Sequence, residues 1–290
     1  MDPVAGLFSS APDFYGQIDE NSPQWSLCYA LANNAATGEL DNEAFLFDGQ
    51  TQRVQASISW PVNDDWTLSL DAGGVIHSGG FLDPLIEGWH GAFGLPNGIR
   101  DSLPSDALRY ELRQDGLSLL NLTERQSALS DTRVHLSRRL LQTQNQWFGA
   151  QLTIKLPTGR FDNLSGSGAT DVSLGFHWHW QGSRIRLRSG IGYSRLGVSD
   201  FGSIQRRNIG FAKAGLNLHL TNRYSLDVGL DLRQPVLKSN LRAFSDPAAA
   251  LHAGLNIETA AKWRIRLGFS EDIRVESEPD VVFRLMISRH

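Results

Sequence analysis

Alternation with a period of two residues runs through most of this chain and constrains it more than any other feature. Between 170 and 180, Val172, Leu174, Phe176, Trp178 and Trp180 occupy one phase. Asp171, Ser173, Gly175, His177 and His179 occupy the other. Successive side chains of a strand point to opposite faces, so this is a strand with one apolar and one polar side. The pattern returns at 146–156, where Phe148, Ala150, Leu152, Ile154 and Leu156 oppose Gln151, Thr153 and Lys155. Ile185, Leu187, Ile191 and Tyr193 oppose Arg184, Arg186 and Arg188. Tyr224, Leu226, Val228, Leu230 and Leu232 oppose Asp227, Asp231 and Arg233, and Trp263, Ile265, Leu267 and Phe269 oppose Arg264 and Arg266. Val281, Phe283, Leu285 and Ile287 close the chain on one face.

Fourteen strands are predicted: 25–33, 43–61, 65–77, 107–113, 116–123, 131–141, 146–157, 170–181, 183–195, 207–220, 223–233, 248–258, 262–271 and 280–289. Short connections alternate with long ones. The short set is 62–64, 114–115, 142–145, 182, 221–222 and 259–261; the long set is 34–42, 78–106, 124–130, 158–169, 196–206, 234–247 and 272–279. Strands of about ten residues with tight turns at one end and longer loops at the other are the pattern of outer-membrane barrels. The 107–123 pair is short and without clear phase; if it does not cross, the count is twelve. A soluble β-sandwich also alternates, but its strands are usually about five or six residues. Little else in this chain would cover so many wide apolar faces.

Composition enters only through how it is distributed. Apolar residues make up 41 % of the chain, yet they form no long uninterrupted run. That excludes a membrane-spanning helix and leaves a barrel open. A net charge of −4 argues against a nucleic-acid surface, and the lone Cys28 allows neither an internal disulfide nor a cysteine zinc site. Trp25, Trp60, Trp66, Trp147, Trp180, Tyr193, Tyr224 and Trp263 lie near strand ends, as aromatic girdles do. Arg138 falls on an apolar face near a strand end, where a long side chain can snorkel.

The reading is therefore all-β: an antiparallel transmembrane barrel over 24–290, preceded by an irregular arm at 1–23 that lies in the periplasm or plugs the lumen. Met1-Asp2-Pro3 opens without an apolar leader, which predicts a mature sequence. One short helix is predicted in the long outer loop, at about 83–93. Asp83 caps it, Pro84 occupies its first turn and Gly94 ends it. Phe81, Leu85, Ile86, Trp89 and Phe93 are the candidate loop constriction, a role set against that of a packed loop helix.

In the same loop, Ser78-Gly79-Gly80-Phe81-Leu82-Asp83-Pro84-Leu85-Ile86-Glu87-Gly88-Trp89-His90, then Phe93-Gly94-Leu95-Pro96 and Arg100-Asp101, resembles the hallmark loop of an uncharacterised outer-membrane barrel family of Gram-negative bacteria, domain of unknown function 3187. Lys155-Leu156-Pro157-Thr158-Gly159, Gly166-Ser167-Gly168 and Asp171 are similar to that family too. The resemblance runs from about residue 25 to the end. It implies a place and a fold but no activity. The chain departs from barrel habit at its end, where Ile287-Ser288-Arg289-His290 lacks the usual terminal aromatic.

If the apolar phase meets lipid, the other phase lines a lumen. The candidate lumen residues are Arg133, Arg139, Lys155, His177, His179, Arg184, Arg186, Arg188, Asp227, Asp231, Arg264, Arg266 and Arg284. Such a wall favours anions. The expected function is a passive channel or uptake protein for small anionic or amphipathic solutes. The alternatives are a closed structural barrel packed with Arg–carboxylate pairs and an outer-membrane lipid-modifying enzyme. His135-Leu136-Ser137 has the spacing of a barrel phospholipase, but both polar residues fall on the lumen phase. No catalytic residue, cofactor or metal site is expected; His177 and His179 with His135 are read as hydrogen-bonded lumen histidines. The expected partners are outer-membrane lipid and lipopolysaccharide, and the barrel-assembly machinery during insertion.

Overall fold

The computed structural model describes residues 4–8, 23–80, 88, 106–260, 262–273 and 281–289. Fifteen strands lie among them: β1 (Gln24–Leu40), β2 (Glu43–Pro61), β3 (Trp66–Ser78), β4 (Arg109–Gln114), β5 (Leu117–Leu122), β6 (Gln126–Leu129), β7 (Thr132–Gln142), β8 (Gln146–Leu156), β9 (Asp171–Gln181), β10 (Ile185–Arg195), β11 (Asn208–His219), β12 (Tyr224–Arg233), β13 (Ala248–Glu258), β14 (Trp263–Asp272) and β15 (Val281–Arg289). Every pairing is antiparallel. β1 pairs with β2 on one side and β15 on the other, and β3 pairs with both β2 and β7. The sheet therefore closes into a ring of twelve strands, with no free edge along the wall.

The fourteen-strand count is corrected to twelve, because the 107–123 pair does not cross. β4 and β5 form a hairpin that pairs with Glu43–Asp48 of β2, above the ring. Four-residue β6 pairs only with the end of β3. The expected loop at 34–42 is also corrected. β1 and β2 continue as one hairpin as far as the Leu40–Glu43 pair, turning at Asp41-Asn42. Asp41 takes the left-handed conformation that this tight turn needs (φ 54°). At the opposite end, side chains hold the short turns. Asn63 Oδ1 accepts the Asp65 and Trp66 amides, each at 3.0 Å, and Thr221 Oγ1 accepts those of Arg223 and Tyr224.

Along the ring the polarity is inverted relative to a water-soluble protein. Each of the twelve ring strands exposes at least one large apolar side chain, among them Leu174, Phe176, Ile191, Val228, Leu267 and Phe283. Inward positions are buried and polar: Thr153, Ser173, His177, Ser194, Asn217, Asp227, Asn256 and Ser270. Trp25 and Trp263 meet edge to face at 5.0 Å across β1, β15 and β14, near the short-turn end. Arg138 places its guanidinium 5.2 Å from the Trp66 ring, which settles its charge on an otherwise apolar face.

Among the described residues, a conventional apolar core lies only at the long-loop end. Phe45, Phe47, Tyr110, Leu112, Leu120 and Leu122 from the β1–β2 extension and the β4–β5 hairpin pack there with Leu164, Leu196, Phe201, Leu237 and Phe244. Val4, Leu7 and Phe8 join this cluster, the last two from a 3-10 turn over Ala5–Phe8. Apart from Gly88, the predicted helix at 83–93 lies outside the described residues, as do the constriction residues Phe81, Leu85, Ile86, Trp89 and Phe93 and most of the 1–23 arm.

Candidate functional site

The inward polar faces enclose two adjoining cavities. One, of about 460 Å³, opens among the short turns 142–146 and 181–183. It is lined by Arg186, Arg188, Arg264 and Arg266 against only Asp227 and Glu258. The second, about 400 Å³, follows the wall past Arg53, Arg133, Lys213, Arg233, Arg264, Arg266, Arg284 and Arg289, against Asp71, Asp231, Glu271 and Asp272. Among the described residues, cations outnumber acids about two to one in each. In a space shielded from bulk water such an excess holds a positive potential.

The acids are shared rather than matched one to one. Asp227 Oδ1 accepts from Arg188 at 3.1 Å and from Asn217 at 2.8 Å, and its Oδ2 faces Asn256 and, at 3.6 Å, Arg266. A single carboxylate thus serves two guanidinium groups. Glu258 pairs with Arg264, and no carboxylate among the described residues pairs with Arg186. Higher in the lumen, Asp231 pairs with His252 at 2.9 Å and lies 3.7 Å from Lys213. Arg284 donates to Ser270 at 2.8 Å.

Five residues line both cavities and mark the place where they adjoin, here called the neck: Trp147, His179, Arg264, Arg266 and Met286. Trp147 stacks on His179 with ring centroids 4.0 Å apart and planes 7° apart, and His177 meets Trp147 edge-on at 5.0 Å. The β8–β9 register places Trp147 beside His179, and β9–β10 places His179 beside Arg188. Gly149 makes room for the cluster, because a Cβ there would overlap both His177 and Trp147. Trp147 was expected in a girdle near a strand end; instead it turns inward. Its phase is that of Gln151 and Thr153, and phase outweighs proximity to the strand end.

The other predicted lumen residues divide cleanly. Arg133, His177, His179, Arg186, Arg188, Asp227, Asp231, Arg264, Arg266 and Arg284 line the cavities. Arg184 does not, being exposed in a short turn. Arg139 does not either; it sits at the β7–β8 bulge and donates to Gln142 at 2.5 Å. Lys155 is wholly buried under the long loops. Its Nζ lies 2.8 Å from Asp131, 2.9 Å from Asp171 and 2.9 Å from the Leu7 carbonyl, and it also donates to Ser167. Asp131 in turn accepts the Gly159 and Ser167 amides, and Asp171 accepts that of Gly197. Gly166 lies so close that a Cβ would overlap the Asp131 carboxylate. The Lys155–Gly159 and Gly166–Asp171 motifs are therefore the two halves of one buried ionic clasp. Arg53, Lys213 and His252, inward by strand phase, were missed in the sequence, and Arg233, placed on the polar phase there, was left out of the candidate set.

His135 donates or accepts through both ring nitrogens, to Asp71 at 3.0 Å and to Thr153 at 2.9 Å. Asp71, His135 and a hydroxyl are the parts of a nucleophilic chain. Thr153 is 0 % exposed, however, so its oxygen is closed to a lipid ester on either face of the wall. Among the described residues no cluster of His, Cys, Asp and Glu has the makings of a metal site.

Solved structures share this architecture. The COG4313 outer membrane channel from Pseudomonas putida F1 superposes with a TM-score of 0.62 at 14 % identity, over 96 % of this chain and 98 % of that one. The NanC porin gives a TM-score of 0.52 at 7 % identity, over 93 % of this chain and all of that one. At such identities the likeness is one of fold. The curated proteins contain no match to this chain. The model of the family described as protein of unknown function (DUF3187) matches residues 10–289, and the chain belongs to that family.

Proposed function

We propose that this protein is a passive channel or uptake barrel of the bacterial outer membrane that favours small anionic or amphipathic solutes. The observation that carries this reading is the inversion of polarity. Burying apolar surface drives folding in water, so a belt of exposed Leu, Ile, Val and Phe around a polar interior fits an apolar solvent outside. The short-turn end then faces the periplasm, lipid and lipopolysaccharide surround the belt, and the barrel-assembly machinery inserts it. The two-to-one excess of Arg and Lys among the described cavity residues supports anion preference. Shared barrel architecture with an outer membrane channel and a porin supports transport over catalysis.

Reconstitution into planar bilayers under a salt gradient tests this. The expected outcome is discrete current steps with a reversal potential on the anion-selective side. Absence of steps, or cation selectivity, contradicts it. A second reading, a barrel closed at rest, is favoured by the apolar cluster that Val4, Leu7 and Phe8 complete at the long-loop end. In that case the steps are rare in the parent protein and frequent in Leu7→Asp/Phe8→Asp, which places charge in the roof.

A further inference from the structure

The neck between the two cavities has a composition that neither cavity wall has by itself. In a ring of twelve, β8 and β14 are six strands apart in either direction, and so are β9 and β15. Trp147 and His179 therefore stand on the wall opposite Arg264, Arg266 and Met286. One side offers the stacked Trp147–His179 pair, a shelf formed by an outer ring face; the other offers guanidinium groups. These are two different demands on whatever passes. A stacked ring pair attracts a further flat π-surface in preference to a saturated one. A guanidinium fork attracts a planar carboxylate, which it can grip through two parallel hydrogen bonds. Asp227 is shared between Arg188 and Arg266 and also takes two side-chain amides, while Glu258 pairs with Arg264. Arg186 adds a further positive charge in the cavity just beyond. The adjoining cavities, about 460 and 400 Å³, each fall within the size of small-molecule sites.

We propose that the neck is a binding site for aromatic monocarboxylates, with the ring against the Trp147–His179 shelf and the carboxylate on Arg266. This deepens the channel reading by naming its solute class, and it rests on that reading for the route by which the solute arrives. Simple inorganic anions meet only the arginine demand, and uncharged aromatics meet only the shelf.

Titration calorimetry on the full chain in detergent tests the site without requiring conduction. Three probes separate the two demands: benzoate, cyclohexanecarboxylate with the same charge but no π-face, and benzamide with a ring but no charge. Benzoate is expected to bind about fivefold more tightly than cyclohexanecarboxylate and at least about tenfold more tightly than benzamide. Trp147→Leu should abolish the difference between the two carboxylates while leaving cyclohexanecarboxylate binding in place. Arg266→Gln should weaken both carboxylates by a similar factor, about tenfold or more, and Arg266→Lys should recover part of that loss. Heat-modifiable gel migration identifies variants that have kept the barrel. Equal binding of the two carboxylates to the parent protein, no benzoate binding, or unchanged discrimination in a folded Trp147→Leu variant each overturns the site. The channel reading fails separately: bilayers without current but with discriminating benzoate binding sink transport alone, and current without discrimination sinks the neck site alone.

Discussion

Lys155 shows how much a single residue can organise in a wall of this kind. It is wholly buried, and its ammonium joins Asp131 before β7, Asp171 at the start of β9, the Ser167 hydroxyl and the Leu7 carbonyl. Four separate stretches of chain thus meet at one charge. Removing one partner from a buried ionic cluster costs about 3–5 kcal/mol, because the remaining charges stay buried. Lys155→Gln should therefore lower the temperature at which the folded form is lost in heat-modification gels by many degrees, and Lys155→Arg should recover less than half of the loss for want of space. Full stability of the Gln variant would show that Asp131 and Asp171 are held by the backbone amides of Gly159, Ser167 and Gly197 alone. In the sequence, Lys155 looked like one more cation facing the lumen. Its phase is right, but phase says only which side of the wall a residue takes, not whether a loop folds over it. Trp147 is the converse case. Its phase pointed inward, and its position near a strand end drew it to the girdle. The same phase rule, applied without exception, finds Arg53 and Lys213 and keeps Arg233 among the lumen residues.

At the scale of elements, the strand pattern was legible wherever the two faces meet different surroundings. From β7 to β15 each strand opposes lipid-type side chains to polar ones, and the predicted spans match those observed to within a few residues. Legibility fails where both faces meet protein. Glu43–Asp48 of β2 and the β4–β5 hairpin bury Phe45, Phe47, Tyr110, Leu112, Leu120 and Leu122 in the roof, so their apolar residues no longer mark a membrane face. That is why the 107–123 pair read as a crossing hairpin. Its place above the ring has a direct consequence. Replacing residues 107–123 by a short Gly/Ser linker should leave a heat-modifiable barrel that still inserts, because the ring closes through β3 and β7 without it. Conductance should rise as the roof loses five of its buried side chains, Leu108, Tyr110, Leu112, Leu120 and Leu122. Loss of insertion would mean that the hairpin is part of the wall.

For the molecule as a whole, the decisive feature is what the apolar belt faces. Phe176 stands midway along β9 with 49 % of its surface exposed. If that surface meets hydrocarbon, Phe176→Arg should destabilise the inserted barrel by roughly 2–4 kcal/mol, whereas Ser173→Asn on the inner face of the same strand should not impair insertion. The measurement that addresses the belt most directly is the hydrodynamic state of the untagged protein with and without detergent, followed by sedimentation and by gel migration before and after heating. A folded, heat-modifiable species that is monodisperse only in detergent, and aggregates when detergent is withdrawn, is the predicted result. A monodisperse, folded protein in plain buffer would contradict the account, because the exposed belt would then have to be covered by the protein itself.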